Sequence, residues 1–297
     1  MKINSYLMIL LSYLISFNSF AHPGGHQETP FQIVSHDWQG EIPANKLVIV
    51  KNEYGSIRSR SNSEEKIFMH ATYQRIGTHA MSPQFDIKEM DGNLYITIKY
   101  DESIRDTNGA LRGRTDISVL FPPSVKIIAE TTSGMIKIDK THSHVDATTT
   151  TGKIKLTTTG LFNAVTDSGK IYLRLRGMHT KGHSVASSLS GEITADIFTD
   201  MGIKLKANSD GLIYLNGSKL KEKRYSYTHG KNPSVVNFNS KNGDIKINQV
   251  VPPALVKSVV PTSKQIDLRD LPKSEPWKPG DPTKEVNPKR PTGKSKG

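Results

Sequence analysis

The chain has 297 residues, of which 35% are hydrophobic, 23% charged and 7% aromatic, and its formal net charge is +12. That length allows one large domain or two small ones. It contains no cysteine, which excludes a disulfide framework, a lipid on an N-terminal cysteine and a cysteine nucleophile, so packing and hydrogen bonds alone must hold the fold.

Residues 1–21 read as a secretory signal peptide. Met1-Lys2 gives a short positive start, Tyr6 to Phe17 is an almost unbroken apolar run, and Ser19-Phe20-Ala21 places small residues ahead of a cleavage point before His22. The run is too short for a spanning helix, which needs about 20 apolar residues. The mature chain is therefore expected to be exported, to the periplasm, the cell surface or beyond, without a transmembrane segment. Residues 22–45 form a lead segment.

Residues 46–250 read as one all-β domain. Its first part is irregular: Gly55-Ser56-Ile57, "KIFMHATYQ" (66–74), Gly92-Asn93-Leu94 and "DISVLF" (116–121) precede a break at Pro122-Pro123. A regular array follows. Gly134, Gly152, Gly169, Gly191, Gly211 and Gly243 are each followed two residues later by isoleucine: Ile136, Ile154, Ile171, Ile193, Ile213 and Ile245. Small residues stand five before the glycine (Ala129, Ala147, Ala164, Ala186) and hydroxyls three before it (Thr131, Thr149, Thr166, Ser188, Ser240). The unit ahead of Gly211 fits after a one-residue slip, which a bulge would explain. Apolar residues alternating with polar ones make half-buried strands, and a unit near 20 residues with apolar positions in register predicts stacked repeats. The expected fold is a β-solenoid or β-helix-like stack, with a β-sandwich of hairpins as the alternative. The turn glycine is expected to adopt positive φ.

From Val251 the composition changes. Residues 251–297 hold nine of the 16 prolines and ten Lys or Arg against five Asp or Glu, a net of +5. Such a segment is expected to be a disordered basic tail.

The order "KLVIVKNEYGSIRSR", "FDIKEMDGNLYITI", "ISVLFPPSVKIIAETTSGMIKI", then serial "TTGKIKL" and "DSGKIYL" units, resembles the bacterial putative-adhesin domain-of-unknown-function family over residues 46–250. The resemblance implies a β-solenoid on an exported bacterial protein and implies no catalytic residues.

Two coils carry basic insertions after the isoleucine strand. One spans 174–183, with Arg174, Arg176 and Lys181; the other spans 216–231, with Lys221, Lys223, Arg224, Tyr225 and Tyr227. If both lie at one corner two rungs apart, their roots stand roughly 10 Å from each other. Guanidinium and ammonium groups match phosphate and carboxylate, so the expected partners are anionic polysaccharide, lipopolysaccharide or lipid headgroups rather than intracellular nucleic acid. A second candidate surface is the outward row Lys137, Lys155, Tyr172, Thr194, Tyr214 and Lys246. His22 and His26 could chelate copper at a mature N-terminus, but two ligands on a glycine-rich segment do not make a site, and no cofactor is expected. A polysaccharide lyase or hydrolase is the rival reading; its best carboxylates, Asp167, Asp210 and Asp244, stand at turns where Asp is expected for turn chemistry alone.

Overall fold

The computed structural model describes residues 31–76, 82–198, 202–231 and 233–251. The chain divides into two units, Met1–Pro252 and Pro253–Gly297, and all described residues belong to the first. The expected signal peptide, His22 and His26, and the expected tail beyond Val251 lie outside them. Among the described residues no helix is long and apolar enough to cross a membrane.

The protein is all-β, built as two large, mostly parallel sheets with no closed barrel. Strands run in chain order as β1 (Phe31–Glu41), β2 (Leu47–Asn52), β3 (Ile57–Ser61), β4 (Lys66–Ile76), β5 (Gln84–Met90), β6 (Asn93–Lys99) and β7 (Gly113–Phe121). The array supplies β8 (Lys126–Thr131), β9 (Ile136–Thr141), β10 (Val145–Thr149), β11 (Ile154–Thr158), β12 (Phe162–Thr166), β13 (Ile171–Leu175), β14 (His183–Ser188) and β15 (Ile193–Phe198). The last part supplies β16 (Ile203–Ser209), β17 (Ile213–Leu215), β18 (Ser218–Lys219), β19 (Arg224–His229), β20 (Ser234–Ser240) and β21 (Ile245–Val250). β1 falls within residues 22–45, so that segment contributes a strand to the stack.

Sheet A has the order β1-β4-β7-β3-β9-β11-β13-β15-β21-β17-β18, and sheet B the order β19-β16-β20-β14-β12-β10-β8-β2-β6-β5. One rung is a strand of sheet B, a glycine corner and a strand of sheet A; a second corner returns the chain to sheet B. Strict apolar–polar alternation turns every second side chain inward, and parallel pairing stacks like on like. Ile57, Ile136, Ile154, Ile171, Ile193, Ile245 and Ile213 therefore form one column across sheet A. Each is at most 1% exposed, and each such burial contributes about 1.5–3 kcal/mol. Sheet B faces them with Ala129, Ala147, Ala164 and Ala186, in register with one another and fully buried.

Spatial order differs from chain order at both ends. The β20–β21 rung inserts between β14–β15 and β16–β17, and the β6–β7 rung lies outside β2–β3. The chain enters one rung in, folds outward and returns. Antiparallel strands finish both ends: β1 and β4 extend sheet A and β5 extends sheet B at one end, while β18 and β19 cover the other.

The repeat glycines do not serve positive φ. Of the corner glycines only Gly55 has it, at 125°. Close approach between rungs requires the others. A Cβ on Gly134 would lie 1.6 Å from the carbonyl oxygen of Gly55, on Gly152 1.8 Å from that of Gly134, on Gly169 1.7 Å from that of Gly152, and on Gly191 1.8 Å from that of Gly169. The hydroxyl three residues upstream secures the turn. Thr149, Thr166, Ser188 and Ser240 each accept a hydrogen bond from the glycine N–H at 2.7–3.0 Å. Several donate in turn to the neighbouring rung, as Thr131 does to the Gly55 carbonyl at 3.2 Å. The hydroxyls of Thr131, Thr149, Thr166 and Ser240 thus both accept and donate.

Two sequence expectations change here. The slip before Gly211 is no strand bulge: β16 and β20 pair in unbroken register from Ile203 to Ser209, and the turn itself is one residue shorter, with Ser209 two before Gly211. Gly92 is not a corner; with Asp91 at φ 52° and Gly92 at 71°, it turns the β5–β6 hairpin, as Asp-Gly does.

Gly169→Ala should cost about 3 kcal/mol by overpacking, whereas Gly177→Ala, with nothing within 4 Å of its added Cβ, should stay within about 0.5 kcal/mol of wild type. Urea denaturation of the two variants measures this, and equal losses would contradict the close-approach account.

Candidate functional site

The residue after each inward isoleucine points outward from sheet A, and register joins these eight residues with Asp37, His70 and Lys219 into one row across eleven strands. It runs Asp37–His70–Ser118–Arg58–Lys137–Lys155, then Tyr172–Thr194–Lys246–Tyr214–Lys219. A second row, two residues further along, places Arg60 beside Asp139, then Thr157, Arg174, Asp196 and Asn248. Neighbouring strands stand about 4.8 Å apart, so Arg58, Lys137 and Lys155 bring three cations together at successive rungs.

The two halves of this face differ in electrostatics. In the β13–β21 half, two carboxylates hold the polar groups. Asp196, with its side chain 13% exposed, accepts from the Tyr172 hydroxyl, from Asn248 Nδ2 at 2.9 Å and from Arg174 Nη2 at 3.4 Å. Glu192 binds Lys246 at 2.5 Å and Lys170 at 4.0 Å. Burial pushes the Asp196 carboxyl up, but hydrogen bonds from Tyr172, Asn248 and Arg174 outweigh it and leave its pKa below the ordinary 3.8. Glu192 is likewise held low, chiefly by Lys246. The Tyr172 hydroxyl is pushed up by its bond to Asp196.

In the β3–β11 half, Asp139 binds Lys137 at 3.1 Å, while Arg58, Arg60 and Lys155 form no ion pair among the described residues. Lys155 Nζ stands 5.4 Å from the centre of the Tyr172 ring. Arg58, Arg60, Lys153 and Lys155 are all exposed. Like charges stacked in register repel, so this half of the face is electropositive.

The structure separates the two basic insertions. Arg174 is not in a loop; it lies on β13, paired with Asp196. Arg176 follows β13 with its guanidinium carbon 5.7 Å from the Phe198 ring centre, and Lys181 is exposed at the second corner. Residues 216–231 instead fold back as the end strands. Lys223 Nζ donates to the backbone carbonyls of Asp210, at 2.7 Å, and Gly211, which puts Lys221, Lys223 and Arg224 at the glycine corner, on the opposite edge. The rungs concerned are three apart, since β15 and β21 intervene. Tyr225 and Tyr227 lie opposite Ala207 and Leu205 and pack, half-buried, against the core. They close the stack's end and do not present their ring faces as a platform.

The turn carboxylates are also apart. Asp244 Oδ1 accepts from the Leu212 N–H at 2.9 Å, which ties neighbouring rungs, and Asp167 stands on a rung three removed from Asp210. Among the described residues no three His, Asp or Glu side chains are grouped to hold a metal.

Sequence reasoning missed Arg58 and Arg60. The signal was present: Arg58 stands three after Gly55, as Lys137 stands three after Gly134.

No family model matches the chain, and no curated protein matches it. Among solved structures it is similar to a putative cell adhesion protein from Clostridium sporogenes, with 16% identity, a TM-score of 0.39 and coverage of 73% of this chain and 100% of that one. It is also similar to a putative adhesin from Bacteroides fragilis, with 16% identity, a TM-score of 0.38 and coverage of 74% and 97%. A putative adhesin from Parabacteroides distasonis gives 11% identity, a TM-score of 0.31 and coverage of 74% and 97%.

Asp196→Asn should lower stability by about 2 kcal/mol near neutral pH, through loss of hydrogen bonds to a charged group. Because the folded pKa is depressed, this contribution is complete above 3.8 and is lost as pH falls through the lower folded value. Urea midpoints across that range should converge for wild type and variant at the acid end; a constant difference would contradict the assignment.

Proposed function

We propose that the chain is an exported, non-enzymatic binding module of adhesin type, and that the β3–β11 half of sheet A's outer face recognises an anionic polysaccharide. One observation carries this reading: Arg58, Lys137 and Lys155 stand in register on adjacent strands, with Arg58 and Lys155 in no ion pair among the described residues. A polyanion with repeating charges engages such a row at several points at once, so weak single contacts add up. Tyr172 at the row's next place offers a ring edge for a sugar, although its hydroxyl is committed to Asp196. The signal-peptide layout of residues 1–21 and the order of segments in the sequence support export and adhesin character.

The test is retention on an immobilised anionic polysaccharide in a salt gradient. Arg58→Glu with Lys155→Glu should weaken binding at least tenfold, about 1.4 kcal/mol. Lys181→Glu, at the second corner, should leave it unchanged. Equal retention of all three proteins would remove the reading. Stronger retention on vesicles of anionic lipid than on the polysaccharide would transfer the face to a headgroup ligand.

A further inference from the structure

Among the described residues, the two ends of the stack are open sheet edges of opposite charge. At one end β1 and β5 each pair with a single described neighbour. With the turn residue Asp91 they carry Asp37, Glu41, Asp86, Glu89 and Asp91 against Lys88, a net of −4. At the other end, residues 218–231 carry Lys219, Lys221, Lys223, Arg224 and Lys231 against Glu222, a net of +4. Lys66 and Lys99 bind Glu41 and Asp86 from the next strands in, whereas Glu89 and Asp91 have no cation partner among the described residues.

We propose that copies of this chain stack head to tail, the acidic β1/β5 end of one against the basic β18/β19 end of the next. This does not rest on the polysaccharide reading. Four observations converge on it. β1 is an eleven-residue edge with no lysine, proline or register shift, and Ile33 and Val34 on it are 55% and 41% exposed; its acidic Asp37 and Glu41 turn away a like edge and admit a basic one. The basic end is the reverse case, since its lysines and arginine repel an identical end and admit an acidic one.

Direction also agrees. β5 is antiparallel to β6 and β19 is antiparallel to β16, while the strands between run parallel. β5 and β19 of successive copies would therefore run the same way. That alignment brings Glu89 and Asp91 to the edge that carries Lys231, and Asp86 towards Arg224.

The register completes the match. The outer row of sheet A begins at Asp37 and ends at Lys219, so stacking places Lys219 of one copy beside Asp37 of the next and continues the row. The contact is heterologous, so it adds copies head to tail, as a filament or, where the rotation between copies closes, as a ring.

The experiment is sedimentation of the full chain over a concentration series. In about 0.01 M salt, where screening reaches about 30 Å, mass should rise with concentration; in about 1 M salt, where it falls to about 3 Å, mass should return to that of one chain. Two variants each remove one end: Lys219→Glu, Arg224→Glu, Lys231→Glu for the basic end, and Asp37→Lys, Glu89→Lys for the acidic end. Lys223, which holds backbone carbonyls, is left in place. Each variant alone should remain at single-chain mass. Mixed, they retain one intact acidic end and one intact basic end, and should form a one-to-one dimer that grows no further. A wild type that stays at single-chain mass in low salt overturns the proposal. So does either variant that associates as wild type does, or a mixture that fails to dimerise.

Discussion

The carbonyl oxygen of one corner glycine sits where the next rung's glycine would carry its Cβ, and this contact governs the stack. It brings backbone against backbone at every rung, so the rungs must be parallel and in register at the corner. Thr or Ser three residues earlier makes the approach stable, because its buried hydroxyl accepts from the glycine N–H of its own turn and, at several rungs, donates to the carbonyl of the neighbouring rung. A larger residue at the glycine would force the rungs apart, and an apolar residue at the hydroxyl would strand a buried N–H.

Everything functional descends from that register. Two residues past the glycine the chain points inward and builds the isoleucine column; three past it the chain points outward and builds the row from Arg58 to Tyr214, which the end strands extend to Asp37 and Lys219. On the sheet B side alanines occupy the buried column opposite the isoleucines. Charge on the outer face of sheet A is laid out at the strand spacing. Carboxylates at 192 and 196 neutralise one half, while in the other Asp139 alone faces Arg58, Arg60, Lys137 and Lys155 among the described residues, which leaves that half basic. The same register that aligns cations along the face leaves unlike charges at its two ends.

Much of the fold was legible in the sequence, because a repeat that cannot bury its apolar face alone writes the same pattern at each rung. The Gly-x-Ile offset located the corners from Gly134 onward, and the residue between the two apolar positions located the outward row. What was not legible arose from three-dimensional choices that leave little local trace. The role of glycine as a contact between rungs, rather than a positive-φ turn, depends on a neighbour about 20 residues away. Rung order depends on which edge a returning strand joins, so the Gly243 rung reads as last but lies inside the Gly211 rung. The insertion at 216–231 reads as a basic loop because of its lysines and arginine; the alternation of Arg224, Ser226 and Thr228 with Tyr225 and Tyr227 is the strand pattern of β19, with the tyrosines turned to the core. Proximity of the two insertions was inferred from sequence offset, and folding back moved one of them to the opposite edge.

The order of the rungs bears most directly on the account, because both the glycine contacts and the outward row assume it. The natural chain has no cysteine, so paired cysteines report on it without background. Thr194→Cys with Lys246→Cys places the pair on adjacent strands, whereas Thr194→Cys with Tyr214→Cys leaves one strand between, about 9.6 Å apart at the usual spacing and beyond the roughly 7 Å limit for a disulfide. Under mild oxidation the first pair should form an intramolecular disulfide and the second should not. The opposite result would mean that the rungs stack in chain order, and the contacts described here would not exist.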